Sequence, residues 1–244
     1  MPQNFAPSPV AVGQDGFTSS STPAHPLGSK AYTKDGRVFR YAQAGASDLV
    51  AGNVQQSAAP IANHLANTPP AVAAGAYSFT YTPGATAGAA NLYAEGYLQV
   101  DTTPGNGYTY QVAGHAAITS STAFTLNLVD PIQVALTTSS RVGLVHNPYK
   151  NVIVNPTTAT AAVAGVAPYI ITATQYGWIQ TWGPCSTLIN GTPGVGIGVV
   201  VSATTAGAVD VAAVAAEINV RIIGHMMQVG VSTKNNFVNL HIAA

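Results

Sequence analysis

Charge is what this sequence has least of. Asp, Glu, Lys and Arg make up 7% of its 244 residues, against about 25% in an ordinary soluble domain, and eight acids cancel eight bases. A folded monomer of this mass exposes about 10,000 Å², so each charge serves roughly 600 Å². Either neutral Thr, Ser, Asn and Gln keep the surface wet, or other subunits cover much of it. The richness in Ala, Val and Gly favours cover. The balance also argues against a nucleic-acid partner, since phosphate binding needs clustered Lys and Arg. The nearest approach is "KAYTKDGRVFR", where Lys30, Lys34, Arg37 and Arg40 accompany Asp35; it reads as a solvated hairpin or as an arm that docks a partner.

Cysteine is nearly absent too. Cys185 alone makes no internal disulfide, and the uncharged residues around it supply no base to activate a nucleophile, so it reads as a small buried hydrophobe. No run of about 20 apolar residues is present to span a membrane as a helix, and the opening "MPQNFAPSPVAVGQDGF" lacks the basic start and apolar run of a signal peptide. Histidines 25, 64, 115, 146, 225 and 241 are scattered singly, without metal-ligand spacing; each reads as a loop residue or a satisfied interface donor. Beyond Asp48 the only carboxylates are Glu95, Asp101, Asp130, Asp210 and Glu217, thin material for paired acid–base work. "GTPGVGIGVV" lacks the Lys-Ser/Thr ending of a phosphate loop. Its glycines read as places where another backbone or a large side chain comes close.

What is present is strand-like. "EGYLQVD" and "GYTYQVAG" flank "TTPGNG", a hairpin signal with Leu98 and Val100 on one face and Tyr97, Gln99 and Asp101 on the other. "AFTLNLVD", "IQVALTT", "RVGLVHN", "NVIVNP", "YIITAT", "GWIQTWG", "VGIGVVVSAT", "INVRIIG", "HMMQVGV" and "FVNLHIA" follow, each short and punctuated by Pro, Gly or Asn. Such spacing predicts an all-β fold, a β-sandwich or a jelly-roll-like barrel. "AGAVDVAAVAAEI" fits helix and strand alike. Seven of the sixteen charges fall in the first fifth of the chain, with Pro and Ser but little periodicity, which predicts an extended N-terminal arm over residues 1–60 and a β-rich main domain over 61–244. Within the arm, Asp35-Gly36 predicts a tight hairpin turn.

Both tryptophans stand in "GWIQTWGPC". On a regular strand Trp178, Gln180 and Trp182 share a face, either a sugar-stacking platform or a surface packed against a second sheet or subunit; packing is the expectation. In order and character "KDGRVFRYAQAGASDLVAGNVQQS", "YGWIQTWGPCSTLI" and "VRIIGHMMQVGVSTKNNFVNLHI" resemble capsid cement, or decoration, proteins of tailed-bacteriophage heads. The resemblance implies a β-rich virion protein on the outer capsid surface, commonly a homotrimer, that bridges neighbouring major capsid subunits and braces the head against packaged DNA. It implies no reaction, cofactor, metal, nucleic acid or membrane. On that reading Arg37, Phe39, Arg40 and Tyr41 contact the capsid, while Trp178, Gln180 and Trp182 pack in the core or between subunits. The rivals are a receptor-binding or fibre-type glycan binder, a polysaccharide-active enzyme on a β scaffold, and a major shell subunit.

Overall fold

The computed structural model describes residues 10–11, 17–212 and 221–244. Most of the expected arm's first sixteen residues, and 213–218 of "AGAVDVAAVAAEI", lie outside them. The chain forms two compact units, one built from its two ends, up to Ala58 and from Pro148, the other from Ala59–Asn147. Unit 1 holds β1 (Val10–Ala11), β2 (Lys30–Tyr32), β3 (Val38–Gln43) and β4 (Val54–Gln56). Unit 2 holds β5 (Ser78–Tyr81), β6 (Tyr97–Thr102), β7 (Thr109–His115), β8 (Phe124–Leu128) and β9 (Arg141–Val145). The chain then returns to unit 1 with β10 (Ile153–Val154), β11 (Val163–Val166), β12 (Tyr176–Leu188), β13 (Gly198–Val201), β14 (Val209–Val211), β15 (Gly224–Met226) and β16 (Asn235–His241). The fold is all-β, as the spacing of short apolar runs predicts, and every named strand pair except β1–β2 is antiparallel.

Unit 1 is organised by β12, whose 13 residues exceed the length of a typical strand. Its first half pairs with β3 along one edge, from Tyr176↔Gln43 to Gln180↔Phe39, and its second half with β16, from Trp182↔His241 to Leu188↔Asn235. At Gln180 it also meets Val166 of β11, which leads to β4 and β10. The sheet therefore forks: β11 and β4 form one layer, and β16, β15, β13 and β14 the other. Val54 and Val166 of the first layer pack against Cys185, Val199, Val209, Met226, Val238 and Leu240 of the second. That is a sandwich core, closed at one side where the Val54 N–H donates to the Gly207 carbonyl, 2.7 Å.

The stretch expected to be an extended arm is, where described, part of this unit. The hairpin forms as predicted, with β2 against β3 and Gly36 at φ 87° in its turn, but β3 lies between β2 and β12 and is buried on both faces. Phe39 and Tyr41 join Ala31 and Trp178 on one face, while Ala42 and Ala44 join Leu49, Ile171 and Ile179 on the other. The charges that suggested an arm sit around that strand, at Lys30, in the 33–37 turn and at Arg40, which is half-buried. The division at residue 60 is likewise replaced by an insertion, Ala59–Asn147, within a unit made of both chain ends.

Unit 2 is one antiparallel sheet in the order β5-β8-β7-β6-β9. β5 and β8 alternate strictly between buried and exposed, and β6 does so from Tyr97 to Asp101, the mark of a sheet wet on one face only. Leu98, Val100, Tyr110, Val112 and Leu126 form the buried face beneath Val72, Tyr93, Ile118 and Leu136. Each fully buried Leu or Val contributes about 1.5–3 kcal/mol.

A candidate interaction surface

On the second layer of unit 1 the side chains alternate across the ladder. Cys185, Met226, Val238 and Leu240 enter the core, and their neighbours Trp182, Ser186, Phe237, Asn239, His225 and His241 do not. Register brings these together: Trp182 stands opposite His241, Ser186 opposite Phe237, and His225 opposite Asn239. The His225 and His241 rings lie 5.1 Å apart, Trp182 lies 5.0 Å from His241, and Asn239 Nδ2 is 3.2 Å from His241 Nε2. No residue of 182–186, 224–231 or 235–241 is an acid, a lysine or an arginine. Phe237 is 51% exposed and Met227 49%, and the exposed Val195, Ile197 and Val229 continue the apolar surface, because Gly196 and Gly230 bond the 193–197 loop to the 226–230 segment. Contiguous exposed apolar surface of this kind marks interaction sites, whereas single exposed side chains do not.

The two tryptophans do not share a platform. Trp178 is buried against Tyr41 at 5.0 Å and His25 at 5.2 Å, and the ladder shifts register between Gln180 and Trp182, a bulge that breaks the two-residue period. Trp182 thus emerges on the outer face, 38% exposed. Gln180 is core, its Nε2 donating to the carbonyls of Trp182 and Pro184 at 3.0 and 2.9 Å. Of the four residues expected to touch a capsid, Phe39 and Tyr41 are buried and lie beyond a partner's reach. Arg40 donates Nη1 and Nη2 to the carbonyls of Gly28 and Ala244, and its buried Nε has no partner among the described residues. Arg37 stays half-exposed, its Nε 2.9 Å from Asp35, whose carboxyl is held below its usual range by the Thr33 hydroxyl and then by Arg37.

No family model, curated protein or solved structure matches this chain. Its chemistry is therefore read from its own residues. Cys185 is buried, and burial pushes its thiol up to about 12, too high for a thiolate nucleophile near neutrality. Asp210 caps locally, accepting from Asn190 Nδ2 and from the Val211 N–H, and Asp101 accepts from the neighbouring Thr102 hydroxyl. Glu217 lies outside the described residues. Among the described residues no three His, Cys, Asp or Glu converge as metal ligands would. Three histidines expected in loops or interfaces are core instead: His64 meets the Tyr93 hydroxyl through Nδ1 at 2.5 Å, His115 accepts the Tyr93 N–H through Nε2 at 3.0 Å, and the His146 ring lies 4.8 Å from that of Tyr93. The glycine-rich stretch supplies close approach, with Ile222 lying over the bare Cα of Gly198.

Proposed function

We propose that this chain is a structural protein of a tailed-bacteriophage head, a capsid cement protein that binds the outer shell surface and clamps neighbouring major capsid subunits. The observation that carries the reading is the outer face of unit 1, whose segments 182–186, 224–231 and 235–241 hold no acid, lysine or arginine and where Trp182, Phe237 and Met227 are exposed, with Arg221 at the edge on the His241 and Ile242 carbonyls. Aromatic residues and Met are enriched in protein interfaces while Lys, Glu and Asp are depleted, and this face has that composition. A cement protein works by many simultaneous contacts: after the first, each further one is intramolecular, so moderate sites add up to tight binding. A homotrimer would present three such faces at once. The capsid-facing residues are then Trp182, Phe237 and Arg37 in place of Phe39 and Tyr41, which hold the fold.

The test is cosedimentation of the purified chain with emptied heads of the virus that encodes it, alongside its solution mass by light scattering. The expected result is a trimer that pellets with heads, and a Phe237→Glu variant that folds but no longer pellets. A wild-type monomer that leaves heads unbound would overturn the proposal.

A further inference from the structure

Beside the outer face, unit 1 carries a cleft of about 240 Å³. Phe17 and Phe237, 36% and 51% exposed, both line it, together with Arg37, Gln180, Ser186 and Asn235. Size narrows what it can hold. Cofactor and drug-sized ligands occupy about 300–1,000 Å³, whereas an apolar cavity of about 150 Å³ already takes a benzene ring, so this cleft fits one ring with a short polar attachment.

Its polar groups narrow the choice further. The Gln180 amide is already committed to backbone carbonyls. The Ser186 hydroxyl and the Asn235 amide make no hydrogen bond among the described residues, and the Arg37 guanidinium uses only Nε, toward Asp35. Gly52, at φ 78°, makes room for that amide: a Cβ there would sit 2.6 Å from Asn235 Nδ2. Arg37 is the one charged group of the lining, since the Cys185 thiol stays protonated. Two aromatic walls, the Ser186 and Asn235 donors and the N–H groups that Arg37 keeps beside its ion pair with Asp35 complement a ring that carries an anionic group, and charge-assisted bonds to a guanidinium are the stronger kind.

We infer that the cleft is a socket for an aromatic side chain and an adjacent carboxylate presented by a peptide segment of a neighbouring protein, with the ring against Phe17 and Phe237 and the anion on Arg37 and Asn235. The inference rests on the cement reading and names its central anchor, the kind of buried aromatic contact that dominates interface energetics.

Ligand-observed NMR titration of the full chain tests it with three probes: N-acetylphenylalanine, its amide, which lacks the carboxylate, and N-acetylalanine, which lacks the ring. The first should bind saturably in the millimolar range and about tenfold more tightly than the others. Ser186→Trp, which fills the cleft, should abolish that binding, and Arg37→Gln should reduce it to the level of the amide. Gly52→Ala, which displaces Asn235 without filling the cleft, should weaken it several-fold. Absence of saturable binding, equal binding of all three probes, or binding indifferent to Ser186→Trp overturns the socket. Cosedimentation separates the two claims. Wild-type chain that leaves heads unbound sinks the cement reading whatever the probes do; Ser186→Trp that loses the probe yet pellets with heads like the wild type sinks the anchor and leaves the cement reading standing.

Discussion

Raising the pH into the alkaline range perturbs one buried hydroxyl of unit 2 in a calculable way. Tyr81 is fully buried on β5, its hydroxyl donating to the His64 carbonyl at 2.8 Å and accepting from Asn67 Nδ2 at 2.8 Å. Burial raises its pKa from 10.0 to about 12, with the Asn67 bond pulling the other way. The unfolded chain therefore gives up this proton first, so the contribution of Tyr81 to stability is complete below pH 10 and is lost as pH climbs toward 12. At about pH 11 the unfolded hydroxyl is mostly ionised and the folded one mostly not, a loss of about 1.4 kcal/mol from this residue alone. Tyr93, raised further by burial and by the nearness of Tyr81, adds to the decline. Tyr81→Phe isolates the effect: near pH 8 it costs about 1–3 kcal/mol for the partners left unpaired, and near pH 11 that gap should shrink by about 1.4 kcal/mol. Urea midpoints of both proteins at the two pH values, with tyrosinate absorbance followed in parallel, give the comparison. A gap that stays constant across the range, or a Tyr81 that ionises with the exposed tyrosines, would mean that burial does not hold this proton.

Further outcomes are expected. Cys185 should resist a thiol reagent in the native protein near pH 8 and react promptly in denaturant, since its thiol is buried with a pKa near 12; stoichiometric native labelling would contradict that burial. Gly96→Ala should destabilise by several kcal/mol, because a Cβ would sit 2.5 Å from the Val145 carbonyl and 2.9 Å from the Asn147 nitrogen, backbone atoms that cannot swing aside. Thermal unfolding of Gly96→Ala against Gly194→Ala, where the backbone is not left-handed and the nearest atom, Ile197 Cγ1, lies at an ordinary 3.7 Å, measures the difference. Trp178→Ala should cost about 3–5 kcal/mol as a core truncation, and Trp182→Ala under about 1 kcal/mol as an exposed one; equal losses in a denaturant titration would mean that the two side chains are not separated by the bulge.

The β6–β7 hairpin was legible because Leu98 and Val100 alternate with Tyr97, Gln99 and Asp101, and one face of that sheet is wet. β4 was not legible, because its Gln55 and Gln56 look like surface residues, yet both are fully buried, Gln55 donating to the Asn53 carbonyl and Gln56 bonding Thr160 through both ends of its amide. "IQVALTT" and "YIITAT" have strand composition but contribute only the single bridges Val72↔Leu136 and Leu49↔Ile171; propensity does not say whether a neighbour offers a free edge. The bulge at Gln180 and Trp182 leaves no trace in the residue types, so the shared tryptophan face was the natural reading. The outer face could be seen only as the unassigned half of an alternation, and the cleft not at all, since Phe17, Arg37, Gly52, Ser186 and Asn235 meet only after folding.

The chain leaves unit 1 after Ala58 and re-enters it at Pro148. The two crossing points are tied: the Ser57 hydroxyl donates to the Pro148 carbonyl at 2.8 Å, and Gln56 pairs with Ile153. Unit 2 is thus a cassette spliced into a seam whose two lips already hold each other. Closing such a seam over a longer or shorter insert costs only about 0.6 kcal/mol per doubling of its length. By loop-closure entropy alone, an insert of quite different length could therefore stand at this seam at little cost to unit 1, so the length of unit 2 is among the features of the chain that the forked sheet constrains least.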